Sequence, residues 1–236
     1  MEIKDYIVII ISGCALTLSL ISLIVTLIQK HKETNRTIKK TLTDTLESIS
    51  KIGIESTKLK SSKDLEFNSE AAIQLRRNYN SQRRVLIAHA DFLIMRYDNL
   101  ATEIDCNILA GAYAAIGDQE KAEYFWRKTI NKSASPPIKL MNLRGFGIFL
   151  FAIGNDDNGR KFFNEALSLN LTENDENKIL QVDTYLMLCE LERESGNKEN
   201  YEINLTGAME VYSKIKNKRK KDEMYERIRL KLPIIN

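Results

Sequence analysis

The stretch Leu109-Ala110-Gly111-Ala112-Tyr113-Ala114-Ala115-Ile116-Gly117-Asp118 has a counterpart 37 positions on, Phe146-Gly147-Ile148-Phe149-Leu150-Phe151-Ala152-Ile153-Gly154-Asn155. Each is an apolar run closed by Ile-Gly and a turn-forming residue. Each is followed by a second amphipathic run, Lys121–Ile130 and then Gly159–Leu167. A fainter third copy extends from Tyr185 through Gly196 to Ala208, its glycine 42 positions after Gly154. Self-similarity at such a period marks supersecondary units that stack to bury a common core. Apolar residues recur at steps of three and four, strictly alternating runs are missing after residue 30, and there are only 3 prolines and 10 glycines. The pattern predicts an all-α chain.

The copies resemble the tetratricopeptide repeat. The family's small–aromatic–small signature in the second helix is matched by Ala122, Trp126 and Thr129, then by Gly159, Phe163 and Ala166. The third copy has Tyr201, Leu205 and Ala208. In the first helix, Leu109, Ala110 and Tyr113 match the Leu-small-x-x-Tyr pattern, with Phe146, Gly147 and Leu150 in the second copy. The spacing exceeds the family's because Asn131–Pro137 and Leu171–Lys178 insert loops, and the terminal proline is displaced to Pro136-Pro137. The resemblance covers residues 101–215 and implies an α-solenoid of about three helical hairpins acting as a protein- or peptide-binding platform. Carried over by position, it places Asn107, Gly111, Met141, Arg144, Ile148, Phe151, Asp183, Glu190 and Arg193 in a peptide groove. The Lys/Asn carboxylate clamp known in the family is missing.

C-terminal to the repeats, Lys214–Lys221 is a dense basic run and reads as a solvated linker, whereas residues 222–232 read as a closing amphipathic helix. N-terminal to them, a helix is expected from about Ser69 to Tyr97. It carries Arg76-Arg77 and Arg83-Arg84 seven residues apart, a candidate contact for an anionic surface. Residues 30–64 carry one apolar stripe, Ile38, Leu42, Leu46, Ile49 and Ile52, expected to form a helical stalk able to pair as a coiled coil. Gly53 and Ser61-Ser62 are its candidate breaks.

Tyr6 to Ile28 is uncharged. At about 23 residues, roughly 34 Å of helix, it predicts an uncleaved transmembrane signal anchor contacting membrane lipid through residues 6–28. Lys30, Lys32, Arg36, Lys39 and Lys40 follow it against Lys4 before it, so positive-inside reasoning places the C-terminal part in the cytoplasm, in a single-pass protein of a bacterial inner membrane. Ser12, Ala15, Ser19, Ser22 and Thr26 fall on one stripe, a candidate association face for a homo-oligomer. The expected layout is an anchor over 1–29, a juxtamembrane stalk or linker over 30–64, a helical lead-in over 65–100, tetratricopeptide-like repeats over 101–221 and a capping helix over 222–236.

Basic and acidic residues are nearly balanced, 35 against 32 for a net charge of +3, which disfavours nucleic acid as partner. Cys14, Cys106 and Cys189 are too few and too scattered for a disulfide framework. No phosphate-binding glycine loop occurs, and His31 and His89 lack ligand-spaced partners. The sequence therefore predicts no enzyme, no cofactor and no metal. It predicts a membrane-tethered scaffold or adaptor that binds a protein or peptide; a periplasm-facing chaperone-like accessory of secretion or assembly, or an effector assembling through its transmembrane helix, are the alternatives.

Overall fold

The computed structural model describes the backbone of residues 3–61 and 69–231, with side chains over 16–58 and 69–231. Every regular element among the described residues is helical. The chain divides into two compact units, residues 1–101 and 102–236.

In the first unit, α1 (Ile3–Ser61) packs on α2 (Glu70–Arg96), and a single 3-10 turn (Asp98–Leu100) follows. Ser69 caps α2 by accepting a hydrogen bond from the Ala72 amide at 3.3 Å. The stripe expected of a stalk faces inward: Leu42, Leu46 and Ile49 are buried on α1, and Ala72, Ile87, Ala90, Leu93 and Ile94 are buried on α2. Gly53 does not break α1. The Arg83 guanidinium lies over it, 3.2 Å from where a Cβ would sit.

The expected transmembrane helix is not supported. Among the described residues, no helix is long and apolar enough to cross a membrane. The side chains of residues 1–15 lie outside the described set. The remaining apolar stretch, Leu16–Ile28, spans only about 20 Å of helix against about 30 Å of hydrocarbon. It then runs without a break into Gln29, Lys30, His31 and Lys32. The fold is thus corrected to all-α with no membrane-spanning helix among the described residues, and the single-pass inner-membrane placement is not supported.

Among the described residues, the second unit consists of three helical hairpins and a last helix. The hairpins pair α3 (Glu103–Ala115) with α4 (Gln119–Asn131), α5 (Pro136–Ala152) with α6 (Asp156–Leu167), and α7 (Asp175–Glu194) with α8 (Lys198–Ser213). The final helix, α9 (Lys218–Lys231), lies on α7. Each hairpin turns on a glycine with positive φ, Gly117 at 82°, Gly154 at 78° and Gly196 at 74°, a region that L side chains occupy at a cost. The next residue occupies the N-cap position of the partner helix in each case. Asp118 and Asn197 accept from the amides of Lys121 and Asn200 at 3.1 Å each. Pro136 and Pro137, expected in a loop, instead open α5, where the missing amide hydrogen costs nothing.

Packing is local, hairpin against neighbouring hairpin. Tyr113 stacks on Phe125 within the first, at 5.6 Å between centroids. Leu140, Leu143 and Ala166 form one buried cluster, and Phe151, Phe163 and Leu188 another that joins the second hairpin to α7. Val182, Leu186, Ala208, Ile215, Met224 and Ile228 form the third, which fastens α9. Burial of each large side chain stabilises the fold by about 1.5–3 kcal/mol.

Candidate functional site

The first helices of the hairpins, α3, α5 and α7, leave part of their surface uncovered within the second unit. A capping box sets the start of α3, with Thr102 Oγ1 accepting from the Asp105 amide at 3.2 Å and Asp105 Oδ2 accepting from the Thr102 amide at 2.8 Å. It leaves Ile104 63% exposed. Across from it, α5 presents Met141 and Ile148, which are 49% and 37% exposed. A cleft of about 320 Å³ lies between the helices, lined by Glu103, Ile104, Asn107, Ile138, Met141 and Asn142. Asn142 is fixed from behind, donating to Ser133 Oγ at 2.9 Å.

Arg144 lies on the same helix face as Met141 and Ile148, three residues after one and four before the other. Its guanidinium is half-buried. It donates to Thr184 Oγ1 at 3.5 Å, a weak contact. Burial pulls its pKa below the ordinary arginine value, and the neighbouring Asp183 carboxylate only partly offsets this. Asp183 is itself engaged elsewhere: Arg227 of α9 donates to it at 3.2 Å. Lys231 of α9 likewise donates to Glu190 at 3.1 Å.

The residues expected in the groove therefore separate into four sets. Asn107, Arg144 and Ile148 lie on the exposed face, with Gly111 open beyond them. Asp183 and Glu190 are tied to α9. Phe151 is in the core, edge-on to Phe163 at 6.2 Å, and Arg193 borders a separate depression of about 190 Å³ at the α7–α8 turn. Glu103, Ile104, Ile138 and Asn142 complete the cleft and were not expected there. The available signal was Ile104 lying one turn before Asn107, outside the buried stripe of α3.

Of the basic pairs on α2, Arg77 and Arg84 are exposed, whereas Arg76 and Arg83 are half-buried. Of the small-residue stripe, Ser12 and Ala15 lie outside the described residues; Ser19 and Ser22 are exposed, and Thr26 Oγ1 donates to the Ser22 carbonyl at 2.8 Å. His89 is exposed, with its Nδ1 3.4 Å from Thr45 Oγ1. Burial pushes the Cys189 thiol up to about 12, so it stays protonated near neutral pH. Among the described residues, no three His, Cys, Asp or Glu side chains gather as metal ligands would.

Asp156 and Asp157, in the first turn of α6, flank Arg160 at 3.9 and 2.9 Å. Arg160 reaches from α6 to α7 and donates to both oxygens of the buried Glu192, at 2.7 and 2.9 Å.

No family model, curated protein or solved structure matches the chain.

Proposed function

We propose that the second unit is a protein-interaction module, a tetratricopeptide-like scaffold or adaptor that binds a segment of a partner protein along α3 and α5. The observation that carries the reading is the exposed row Ile104, Met141 and Ile148 around a half-buried arginine, on helices whose other faces are buried. Exposed apolar side chains grouped with a few placed polar ones suit recognition better than an isolated exposed leucine would. The family reading is supported by three glycine-turned hairpins and by full burial of Ala122, Thr129, Phe163, Ala166 and Ala208 at signature positions.

Photo-crosslinking amino acids placed singly at Ile104, Ile148 and Met209, the last exposed on α8, test the reading in cells. A shared adduct from Ile104 and Ile148 that is not formed from Met209 is the expected result. Equal labelling from all three positions, or none from the first two, would overturn it.

A further inference from the structure

Arg144 has no carboxylate hydrogen-bonded to it; its acidic neighbour, Asp183, is bonded to Arg227 instead. Of the two carboxylates on α7 expected in the groove, Asp183 is bonded to Arg227 and Glu190 to Lys231. The only hydrogen bond of the Arg144 guanidinium among the described residues is the 3.5 Å contact to Thr184 Oγ1, whose own proton goes to the Leu180 carbonyl at 2.7 Å. A half-buried guanidinium has lost water that its protein partners do not replace. An incoming carboxylate can accept two parallel N–H donors from it, the strongest form of this contact. On either side stand exposed apolar side chains, Met141 and Ile148, seven residues apart and thus about 10 Å along the helix.

We propose that this face of α5 recognises an amphipathic helix of a partner protein carrying a single carboxylate within its apolar stripe. The inference rests on the binding role proposed above. The spacing argues for a helix: side chains three and four apart on a helix laid along α5 repeat at the same interval as Met141, Arg144 and Ile148. The partner's apolar residues would meet Met141 and Ile148 while its Asp or Glu meets Arg144. Charge complementarity sets the sign at Arg144: Asp183 and Glu190 are bonded to α9, and Glu103 lines the cleft at the Met141 end, so the positive centre of the face is the Arg144 guanidinium.

Stapled helical peptides with two leucines seven apart and either Glu or Gln between them are the probes, titrated by fluorescence anisotropy against the full chain and its Arg144→Gln, Arg144→Lys and Ile148→Asp variants. The Glu peptide is expected to bind at least about tenfold more tightly than the Gln peptide, as a charge-assisted bond implies. Arg144→Gln should abolish the difference while Gln-peptide binding persists, Arg144→Lys should restore part of it, and Ile148→Asp should weaken both peptides. Circular dichroism melting of each variant separates this from loss of fold. Equal binding of Glu and Gln peptides, both lost in Ile148→Asp, would overturn the carboxylate inference and leave the binding role standing. No binding by either peptide, with the crosslinking result also negative, would overturn both. A dimer of the chain that Ile148→Asp dissociates would make the occupant a second copy and overturn the inference.

Discussion

Gly147 and Gly159 meet backbone to backbone where α5 crosses α6. A Cβ on either would lie 3.1 Å from the carbonyl oxygen of the other. It would also lie 2.6 Å from a phenylalanine ring, Phe163 for Gly147 and Phe151 for Gly159. Each ring packs against the glycine of the opposite helix, so a side chain at either position must displace a ring and push the two backbones apart.

Two effects compete in a Gly→Ala change here. Alanine favours the helix by about 1 kcal/mol. Overpacking typically costs about 1–3 kcal/mol, and here the obstruction includes backbone that cannot rotate away. Gly147→Ala and Gly159→Ala are each expected to lose stability, about 1–3 kcal/mol net, in urea unfolding. The double variant should lose less than the sum, since either change already separates the helices. Gly111→Ala is the control: nothing lies within 4 Å of its Cβ, and a gain of about 0.5–1 kcal/mol is expected.

Arg160 and Glu192 form a buried ion pair that ties the second hairpin to the third. Glu192 is 0% exposed, so removal of its partner strands a carboxylate away from water. Arg160→Met is expected to cost about 3 kcal/mol, at the low end for a broken buried pair because the arginine side chain is 21% exposed. Arg160→Met combined with Glu192→Met should recover most of that loss. A double-mutant cycle by denaturant unfolding measures both, and additive losses would contradict the pairing.

Asp175 accepts hydrogen bonds from the amides of Asn217 and Lys216, at 2.8 and 3.1 Å, where the chain enters α9. These donors hold its carboxyl below the ordinary value of 3.8. A depressed folded-state pKa contributes stability above the unfolded value, and that contribution is lost as pH falls through the folded one. Asp175→Asn is therefore expected to lower the melting temperature at pH 6–7 and to converge with the parent protein in strong acid. A difference that persists or grows in acid would refute the assignment.

Much of this fold can be read from the chain because its glycines and apolar steps are local signals. Gly117, Gly154 and Gly196 punctuate the sequence where the helices turn, and the stripe from Ile38 to Ile52 is visible as a buried face before its partner is known. What the sequence hides is the identity of that partner. The stripe could have paired with another chain; it packs on α2. A glycine inside a helix is ordinarily a weak point, yet Gly53 is spanned without a break beneath Arg83. Phe151 falls at a groove position by repeat phasing, but Gly159 opens space for its ring in the core. Asp183 and Glu190 read as free groove acids because their cations lie about 40 residues away in sequence. The basic run ahead of Arg227, read as a solvated linker, supplies the first turn of α9 and the Lys220–Glu176 pair. The span of 6–28 looked decisive as a string of uncharged letters; its described part is too short to cross a bilayer.

On α7, Glu176, Asp183 and Glu190 recur every seven residues, and Lys220, Arg227 and Lys231 of α9 answer them in the same order. The cations are spaced seven and then four, so the two rows match in one alignment. A slip of α9 by one turn would leave at most one pair within reach. The acids thus act as graduations on a ruler against which the last helix is measured. Screening by salt would loosen its grip without changing where it sits.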